Sequence, residues 1–249
     1  MIAAGSAHAA EQLTIAVASN FQTTAKEIAA RFSATTDIAV RISSGSTGSL
    51  YARIVNGAPY DIFLAADTAR PQLLEEGGFA IENSSFVYAS GRLVLWSADP
   101  RFRDRDCSED LASGAFTHLA IANPRTAPYG LAAKSFLQSQ QLWDSVSDRL
   151  VVGENIAQTF QFVATGNATL GLIAASQIID NASVETTCIV MISEQTAGDV
   201  QIHQAAVVLS ASQNKSAAKR FMRFMQTSDV AALLVQHGYR ASADSAARF

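Results

Sequence analysis

The chain has 249 residues, of which 49% are apolar and only 16% charged, and its formal net charge is −4. This length suits one large domain or two domains of about 120 residues each. The apolar content excludes a disordered chain, and the negative charge argues against a nucleic-acid partner, because phosphate backbones require clustered Lys and Arg. No apolar stretch reaches the roughly 20 residues that a membrane-spanning helix needs.

The first ten residues are small and mostly apolar, and Ala7-His8-Ala9 fits the A-x-A pattern of a signal-peptidase site. We interpret residues 1–10 as the remainder of a secretory signal, although the basic region and the full apolar region of such a signal are missing. A disordered cytosolic leader is the alternative. The pattern favours secretion, with the mature protein beginning near Ala10.

Short apolar strands alternate with amphipathic helices along almost the whole chain, which is typical of α/β layers around parallel sheets. The first helix is the clearest, because Phe21, Ala25, Ile28 and Phe32 recur at helical spacing. In the first third of the chain we predict strands at 13–18, 38–42 and 62–66, and helices at 21–32, around Leu50 and Ile54, and before Gly77-Gly78.

Strand runs near 85–97 and 200–209 could both cross between two lobes, which gives two discontinuous α/β domains with the ligand between them. We therefore predict lobe I at 11–88 plus 204–249 and lobe II at 89–203. After a charge-rich segment at 99–110, the predicted elements are strands at 119–122, 150–152, 170–174 and 200–209, and helices at 131–140, 155–166, 215–227 and 230–238.

Four polar turns each follow a predicted strand and precede a predicted helix, at 19–20, 43–48, 123–130 and 153–156. Ligands of open α/β sheets bind beyond the carboxyl ends of the strands, and helix N-termini attract oxyanions. The turns therefore predict one cleft that holds an anion without a cationic side chain. For any one of Ser19, Asn20 or Thr47 taken alone, ordinary N-capping is the competing interpretation.

The sequence offers no anchor for enzymatic or metal chemistry. The four histidines share no short motif with Cys, Asp or Glu, so zinc binding is not indicated. Ser46 has no evident triad partner, and the turn around it lacks the Gly-Lys-Ser/Thr of a Walker loop. Asp61 and Asp67 flank a strand, where a salt bridge or turn cap is a simpler interpretation than an acid/base pair.

Cys107 and Cys188 lack the spacing of a metal or redox site. Both lie in the predicted lobe II, so a disulfide is topologically reasonable. Two free thiols are an equally good alternative.

A series of short motifs resembles the ModA-type family, the periplasmic molybdate-binding proteins of ABC importers. The resemblance covers nearly the whole chain after the leader, and the order of the motifs is specific although each one alone is weak. The motifs are AVASNF (16–21), SSGSTGSLYA (43–52), NGAPYDIFLAAD (56–67), GRLVLW (91–96), NPRTAPYG (123–130), GENI (153–156) and GLIAASQ (171–177).

The resemblance implies a two-lobed class II periplasmic binding protein of the α/β class, with a ligand cleft between discontinuous domains. Such a protein closes around one tetrahedral oxyanion, molybdate and usually also tungstate, and delivers it to the membrane permease of an ABC importer. It also implies a periplasmic, monomeric protein without a cofactor or an enzymatic activity.

By motif, the resemblance assigns the oxyanion to Ser19, Asn20, Thr47, Tyr129 and Ile156. These residues would donate hydrogen bonds to the molybdate oxygens and would not be direct metal ligands. Tyr129 and Ile156 would donate chiefly through backbone N–H groups, opposite the donors of the first lobe.

Two positions depart from the common pattern of the family. Thr47 stands where a serine is common, and Ala174 stands where some members have a ligating tyrosine, for which Asn20 is expected to compensate.

Selection of molybdate against sulfate would depend on the size of the cavity. A receptor for another small anion (sulfate, phosphate or a carboxylate) and an α/β enzyme acting on an anionic substrate remain the alternatives.

Overall fold

The computed structural model describes residues 11–192 and 202–241, so the predicted leader at 1–10 lies outside the described residues. Within those ranges the strands are β1 Gln12–Ala18, β2 Ala39–Gly45, β3 Ile62–Leu64, β4 Phe86–Gly91, β5 Leu93–Ser97, β6 Leu119–Ala122, β7 Leu150–Gly153, β8 Leu170–Ala174, β9 Cys188–Met191, β10 Ile202–Val208 and β11 Arg240–Ala241. The α-helices are α1 Gln22–Thr36, α2 Thr47–Val55, α3 Ala69–Glu76, α4 Cys107–Ser113, α5 Pro128–Ser139, α6 Trp143–Val146, α7 Ile156–Ala164, α8 Ala175–Asp180, α9 Lys215–Phe224 and α10 Ser228–Gln236.

The strands form two sheets, which confirms the α/β class. The first sheet has the order β11-β4-β10-β3-β1-β2, and the second has the order β7-β6-β8-β5-β9. Both are mixed rather than parallel, because β10 runs antiparallel to β3 and β4, and β5 runs antiparallel to β8 and β9. The neighbours β1 and β2, and likewise β6 and β7, are parallel. The four polar turns therefore follow two pairs of parallel strands.

Each sheet is covered by apolar side chains on both faces, as the period-2 alternation of its strands requires. In β1, Ile15 belongs to one apolar cluster and Ala16 to another on the opposite face. In β5 of the second sheet, Leu95 and Trp96 divide between two clusters in the same way. Each sheet therefore lies between apolar clusters, and one cluster of the second sheet also includes Ala18 and Ile202 of the first.

The chain passes from the first sheet to the second within a single residue. The predicted run at 85–97 is interrupted at Arg92, with β4 before it in the first sheet and β5 after it in the second. After β9 the chain returns to the first sheet, which it rejoins at β10. Residues 193–201, between these two strands, lie outside the described part of the chain. The sequence predicted that this run crosses between two lobes, and the change of sheet lies at Arg92.

Helix α5 begins three residues earlier than predicted, at Pro128 instead of Leu131. Proline suits the first helical position, because its φ is already helical and its missing N–H would be unpaired there anyway.

The charge-rich segment contains a helix that the sequence did not predict, α4, which Asp106 caps by accepting a hydrogen bond from the Ser108 N–H at 2.9 Å. Strand β9 was not predicted from the sequence.

Cys107 and Cys188 form a disulfide, with their Cα atoms 6.1 Å apart. The bond joins the start of α4 to β9, and both residues are buried. This settles the alternative that the sequence left open, and it suits an oxidising compartment.

Replacing both cysteines by serine is expected to lower the free energy of unfolding by at least about 2 kcal/mol. The reason is that the bond closes a loop with a sequence separation of 81 residues in the unfolded chain. Urea unfolding of the ligand-free protein, followed by circular dichroism, measures the change. A reductant should reproduce the loss in the wild type and leave the double variant unaffected. Equal unfolding midpoints for wild type and variant would contradict the prediction.

Candidate functional site

A small cavity lies where the turns after β1, β2, β6 and β7 meet. Its empty space, including the mouth, is about 180 Å³. All five predicted site residues line it, so the structure brings together residues from both sheets as the sequence predicted. The described lining residues are all uncharged: Ala18, Ser19, Asn20, Gly45, Ser46, Thr47, Ala66, Ala127, Pro128, Tyr129 and Ile156.

Ser19 and Asn20 form the first turn of a 3-10 helix, Ser19–Phe21, that leads directly into α1. Asn20 is buried, and its Nδ2 lies 2.9 Å from Gln204 Oε1 and 3.3 Å from the Tyr239 hydroxyl oxygen. The carboxamide N–H groups therefore have protein acceptors within reach. The first backbone N–H groups of a helix have no intrahelical acceptor, so the backbone of this turn offers donors to the cavity.

Thr47 is the first residue of α2 and is almost fully buried. Its Oγ1 accepts a hydrogen bond from the Ala66 N–H at 3.1 Å, which leaves the hydroxyl hydrogen to be donated elsewhere. The next two N–H groups of this turn have protein acceptors: Gly48 donates to Thr126 O at 2.8 Å, and Ser49 lies 3.4 Å from the Oγ of the N-cap Ser46. The Thr47 N–H remains as the donor of this turn.

Tyr129 is the second residue of α5, after a proline that has no N–H. The following two N–H groups, of Gly130 and Leu131, both donate to Ala127 O at 2.9 and 3.0 Å. The Tyr129 backbone N–H is thus the donor that remains at this helix N-terminus, and Tyr129 itself lines the cavity. The Tyr129 side chain is buried, and burial raises the pKa of its phenol.

Ile156 is the first residue of α7, and its N-cap is Asn155. The Asn155 Oδ1 accepts hydrogen bonds from the Ala157 and Gln158 N–H groups at 3.0 and 3.1 Å. The cap therefore uses the second and third donors of the helix and leaves the first, the Ile156 N–H. N-capping and ligand binding are complementary here, since the cap selects which N–H remains.

The positive ends of four helices meet at this cavity. A helix N-terminus carries roughly half a positive charge on its unpaired N–H groups, and each of the four continues into a helix of nine or more residues. The cavity therefore favours an anion although its described lining carries no charged side chain. Its chemistry is hydrogen-bond donation from neutral groups.

A backbone hydrogen bond joins the two sides of the cavity directly. The Gly48 N–H of α2 donates to Thr126 O, at 2.8 Å, in the loop before α5. A Cβ on Gly48 would stand 2.9 Å from Thr126 O and 3.0 Å from Thr126 Cα. The two sides approach this closely only because Gly48 has no side chain.

Asp61 and Asp67, which the sequence left between an acid/base pair and a structural role, have structural roles. Asp61 accepts hydrogen bonds from the Thr14 N–H at 2.7 Å and from Ser212 Oγ at 2.6 Å. Asp67 accepts from the Arg70 N–H at 3.0 Å and pairs with the Arg70 guanidinium. A turn cap and a salt bridge, the simpler interpretation, are confirmed.

Within residues 11–192 and 202–241, no group of three His, Cys, Asp or Glu side chains could hold a metal ion. Nor is any helix in those ranges long and apolar enough to cross a membrane.

Sequence reasoning missed the residues behind the cavity. Gln204, Tyr88 and Tyr239 contact one another or Asn20 through buried hydrogen bonds. The signal available for Gln204 was a polar residue inside an apolar strand run, but nothing local indicated its partner.

Ala174, at the position where some family members have a ligating tyrosine, ends β8 and belongs to the same apolar cluster as Ile156.

Comparison with known proteins gives consistent matches over nearly the whole chain. A family model described as bacterial extracellular solute-binding protein matches residues 13–240. The molybdate-binding protein ModA of Azotobacter vinelandii is 40% identical over 92% of this chain and 90% of its own length. The ModA of Rhodobacter capsulatus is 37% identical over 93% and 89%. The solved structure of the Azotobacter vinelandii periplasmic molybdate-binding protein superposes with a TM-score of 0.86, at 37% identity, and the match covers 92% of this chain and 99% of that chain.

Proposed function

Since this chain belongs to the bacterial extracellular solute-binding proteins, and within them to the ModA type, we propose that it binds molybdate between its two sheets. It then delivers the anion to the permease of an ABC importer. One observation supports this function above all: four helix N-termini converge on a cavity whose described lining is neutral and rich in hydrogen-bond donors.

The donors in this proposal are Ser19, Asn20, Thr47, Tyr129 and Ile156. Thr47 contributes its N–H and its hydroxyl hydrogen, since Oγ1 already accepts from Ala66. Tyr129 and Ile156 contribute the N–H groups that the local caps and turns do not use. Ser19 and Asn20 contribute from the first turn before α1, Ser19 also through its hydroxyl.

Neutral donors can bind a dianion well if every oxygen has a partner. Charge-assisted hydrogen bonds are roughly twice as strong as neutral ones, and dipoles fixed in the fold need no reorganisation on binding. A smaller oxyanion such as sulfate would leave some donors unpaired, at a cost of about 1–3 kcal/mol for each buried group. We therefore propose that cavity size selects molybdate, and tungstate of the same shape, over sulfate.

The remaining parts of the proposal concern the whole protein. The two sheets would be the cores of two lobes, 11–88 plus 204–249 and 89–203, that close on the ligand as a clamshell. Ligand binding shifts the population toward the closed form by its higher affinity for that form. The protein would act in the periplasm as a monomer after loss of residues 1–10.

Calorimetric titration with molybdate, tungstate, sulfate and phosphate tests the function, with Thr47→Val and Thr47→Ser as matched variants. We expect molybdate and tungstate to bind and sulfate not to compete. Thr47→Val should weaken molybdate binding about 10- to 100-fold, because it removes a donor to a charged acceptor, whereas Thr47→Ser keeps the hydroxyl and the affinity.

Sulfate binding as tight as molybdate binding would refute selection by size. An unchanged affinity in Thr47→Val would remove Thr47 from the site. The valine variant also leaves the Ala66 N–H unpaired, so its unfolding is measured separately in the absence of ligand.

A further inference from the structure

A buried polar cluster, formed by Asn20, Gln204, Tyr88, Tyr239 and Ser176, lies behind the anion cavity. Gln204 is fully buried in β10, an inner strand of the first sheet. The pairing of β10 with β4 shifts register between Gln204 and Ala205. Such irregularities re-aim a side chain and are frequent beside functional sites. A buried carboxamide is costly unless it is hydrogen-bonded, so its contacts indicate what it does.

Gln204 makes its side-chain hydrogen bonds through the carboxamide oxygen. Oε1 lies 2.9 Å from Asn20 Nδ2 and 3.1 Å from the Tyr88 hydroxyl. Nε2 has no hydrogen-bond partner among the described residues. A glutamine that only filled the core would gain from pairing both ends, whereas this one uses the acceptor that holds Asn20.

The backbone of Asn20 is held as well. The Tyr239 hydroxyl donates to Asn20 O at 2.7 Å and lies 3.0 Å from Ser176 Oγ, in the helix that follows β8 of the second sheet. Burial raises the pKa of both Tyr88 and Tyr239, so these phenols stay neutral donors. Asn20 is therefore fixed at its carboxamide by Gln204 and at its carbonyl by Tyr239.

We propose that Gln204 is a positioning residue for the anion site: by anchoring the Asn20 carboxamide it fixes the turn whose donors bind the anion. Gln204 need not touch the anion. Its contribution is preorganisation, because a turn that is already held loses less freedom when the ligand binds. This inference rests on the proposed function, in which Asn20 belongs to the binding turn.

A double-mutant cycle with Gln204→Met and Asn20→Ala tests the coupling. Methionine keeps the volume of glutamine and removes the acceptor. We expect Gln204→Met to weaken molybdate binding about 10-fold, as for the loss of one buried hydrogen bond. In the Asn20→Ala background the same change should have little further effect, because residues that act through one another are not additive. Calorimetric affinities and ligand-free unfolding are measured for all four proteins.

A merely structural role would lower stability without this coupling. Gln204→Met with wild-type affinity, or with an effect fully additive to that of Asn20→Ala, would overturn the inference. Failure of the wild type itself to bind molybdate would instead overturn the proposed function.

Gln204→Glu keeps the test decisive if the methionine variant does not fold, because it retains the acceptor oxygen. Burial favours the protonated form of such a carboxyl. We expect its molybdate affinity to approach that of the wild type at pH 6 and to fall toward pH 9 as the carboxylate forms beside the anion site. A molybdate affinity at pH 6 as low as that of a variant without the acceptor oxygen would count against the inference.

Discussion

Ile156→Pro is expected to weaken molybdate binding about 100-fold while the fold is retained, near the upper end of the range for hydrogen bonds to charged groups. Ile156 is the first residue of α7, where proline is well tolerated in helices. The preceding Asn155 has φ −151° and ψ 171°, an extended conformation that proline accepts in its neighbour. The substitution therefore deletes one backbone donor at the cavity and leaves the Asn155 cap in place.

Ile156→Ala is the matched control, because it removes most of the same buried side chain and keeps the N–H. Calorimetric titration with molybdate compares the two variants with the wild type, and ligand-free thermal unfolding reports the cost of the lost packing. The alanine variant should share the loss in stability and bind more than tenfold tighter than the proline variant. Equal affinities for the two variants would remove the Ile156 N–H from the site.

Both members of this pair test how capping relates to function. For Ser19, Asn20 and Thr47, ordinary N-capping was the competing interpretation. In α7 Asn155 does cap the helix, since its side chain accepts hydrogen bonds from two N–H groups. It does not use the N–H of Ile156, which lines the cavity. In α2 the N-cap Ser46 and the carbonyl of Thr126 take the Ser49 and Gly48 donors in the same way. In α7 and α2, therefore, the acceptors near the helix N-terminus determine which donor remains.

The placement of the site could be predicted from sequence because it depends on local order. A strand, a polar turn and a helix in succession fix both the edge of the sheet and the direction of the helix dipole. The order strand, polar turn and helix was predicted for the turns after β1, β2, β6 and β7. These four strands form two parallel pairs. Pro128 shows the limit, since the helix began earlier than its apolar period indicated.

The features that escaped prediction depend on contacts between distant residues. Asn20 and Gln204 are 184 positions apart, and their hydrogen bond depends on the return of β10 into the first sheet. The pairing of Cys107 with Cys188 was undecided because it requires β9, a strand without a clear sequence signal. The crossing near 85–97 was predicted, but its exact position at Arg92 depends on which sheet each strand joins. Local periodicity contains none of this information.

The approach of the two sides of the cleft at Gly48 is the contact most open to a steric test. Gly48 has no positive φ, so its backbone accepts any side chain. The obstacle is the carbonyl oxygen and Cα of Thr126 across the cavity, at 2.9 and 3.0 Å from the position of a Cβ, with Arg70 Nη2 at 3.3 Å. Backbone atoms cannot rotate away, so a side chain here must push the two sides apart.

Gly48→Val is therefore expected to weaken molybdate binding by more than about 100-fold, because the affinity falls with the fraction of protein that can close. The ligand-free protein should unfold at the wild-type temperature or slightly above it, since valine is no worse than glycine within a helix. Calorimetry and thermal unfolding measure the two quantities. The size of the effect should be graded, with Gly48→Ala between wild type and Gly48→Val.

Arg53→Val provides the control, because Arg53 is an exposed residue near the far end of the same helix. It should leave molybdate affinity unchanged. A loss of ligand-free stability in Gly48→Val equal to its loss of affinity would mean that the two sides stay together without ligand. Wild-type affinity in Gly48→Val would mean that the anion binds without the close approach of α2 to Thr126, and clamshell closure at this point would then be wrong.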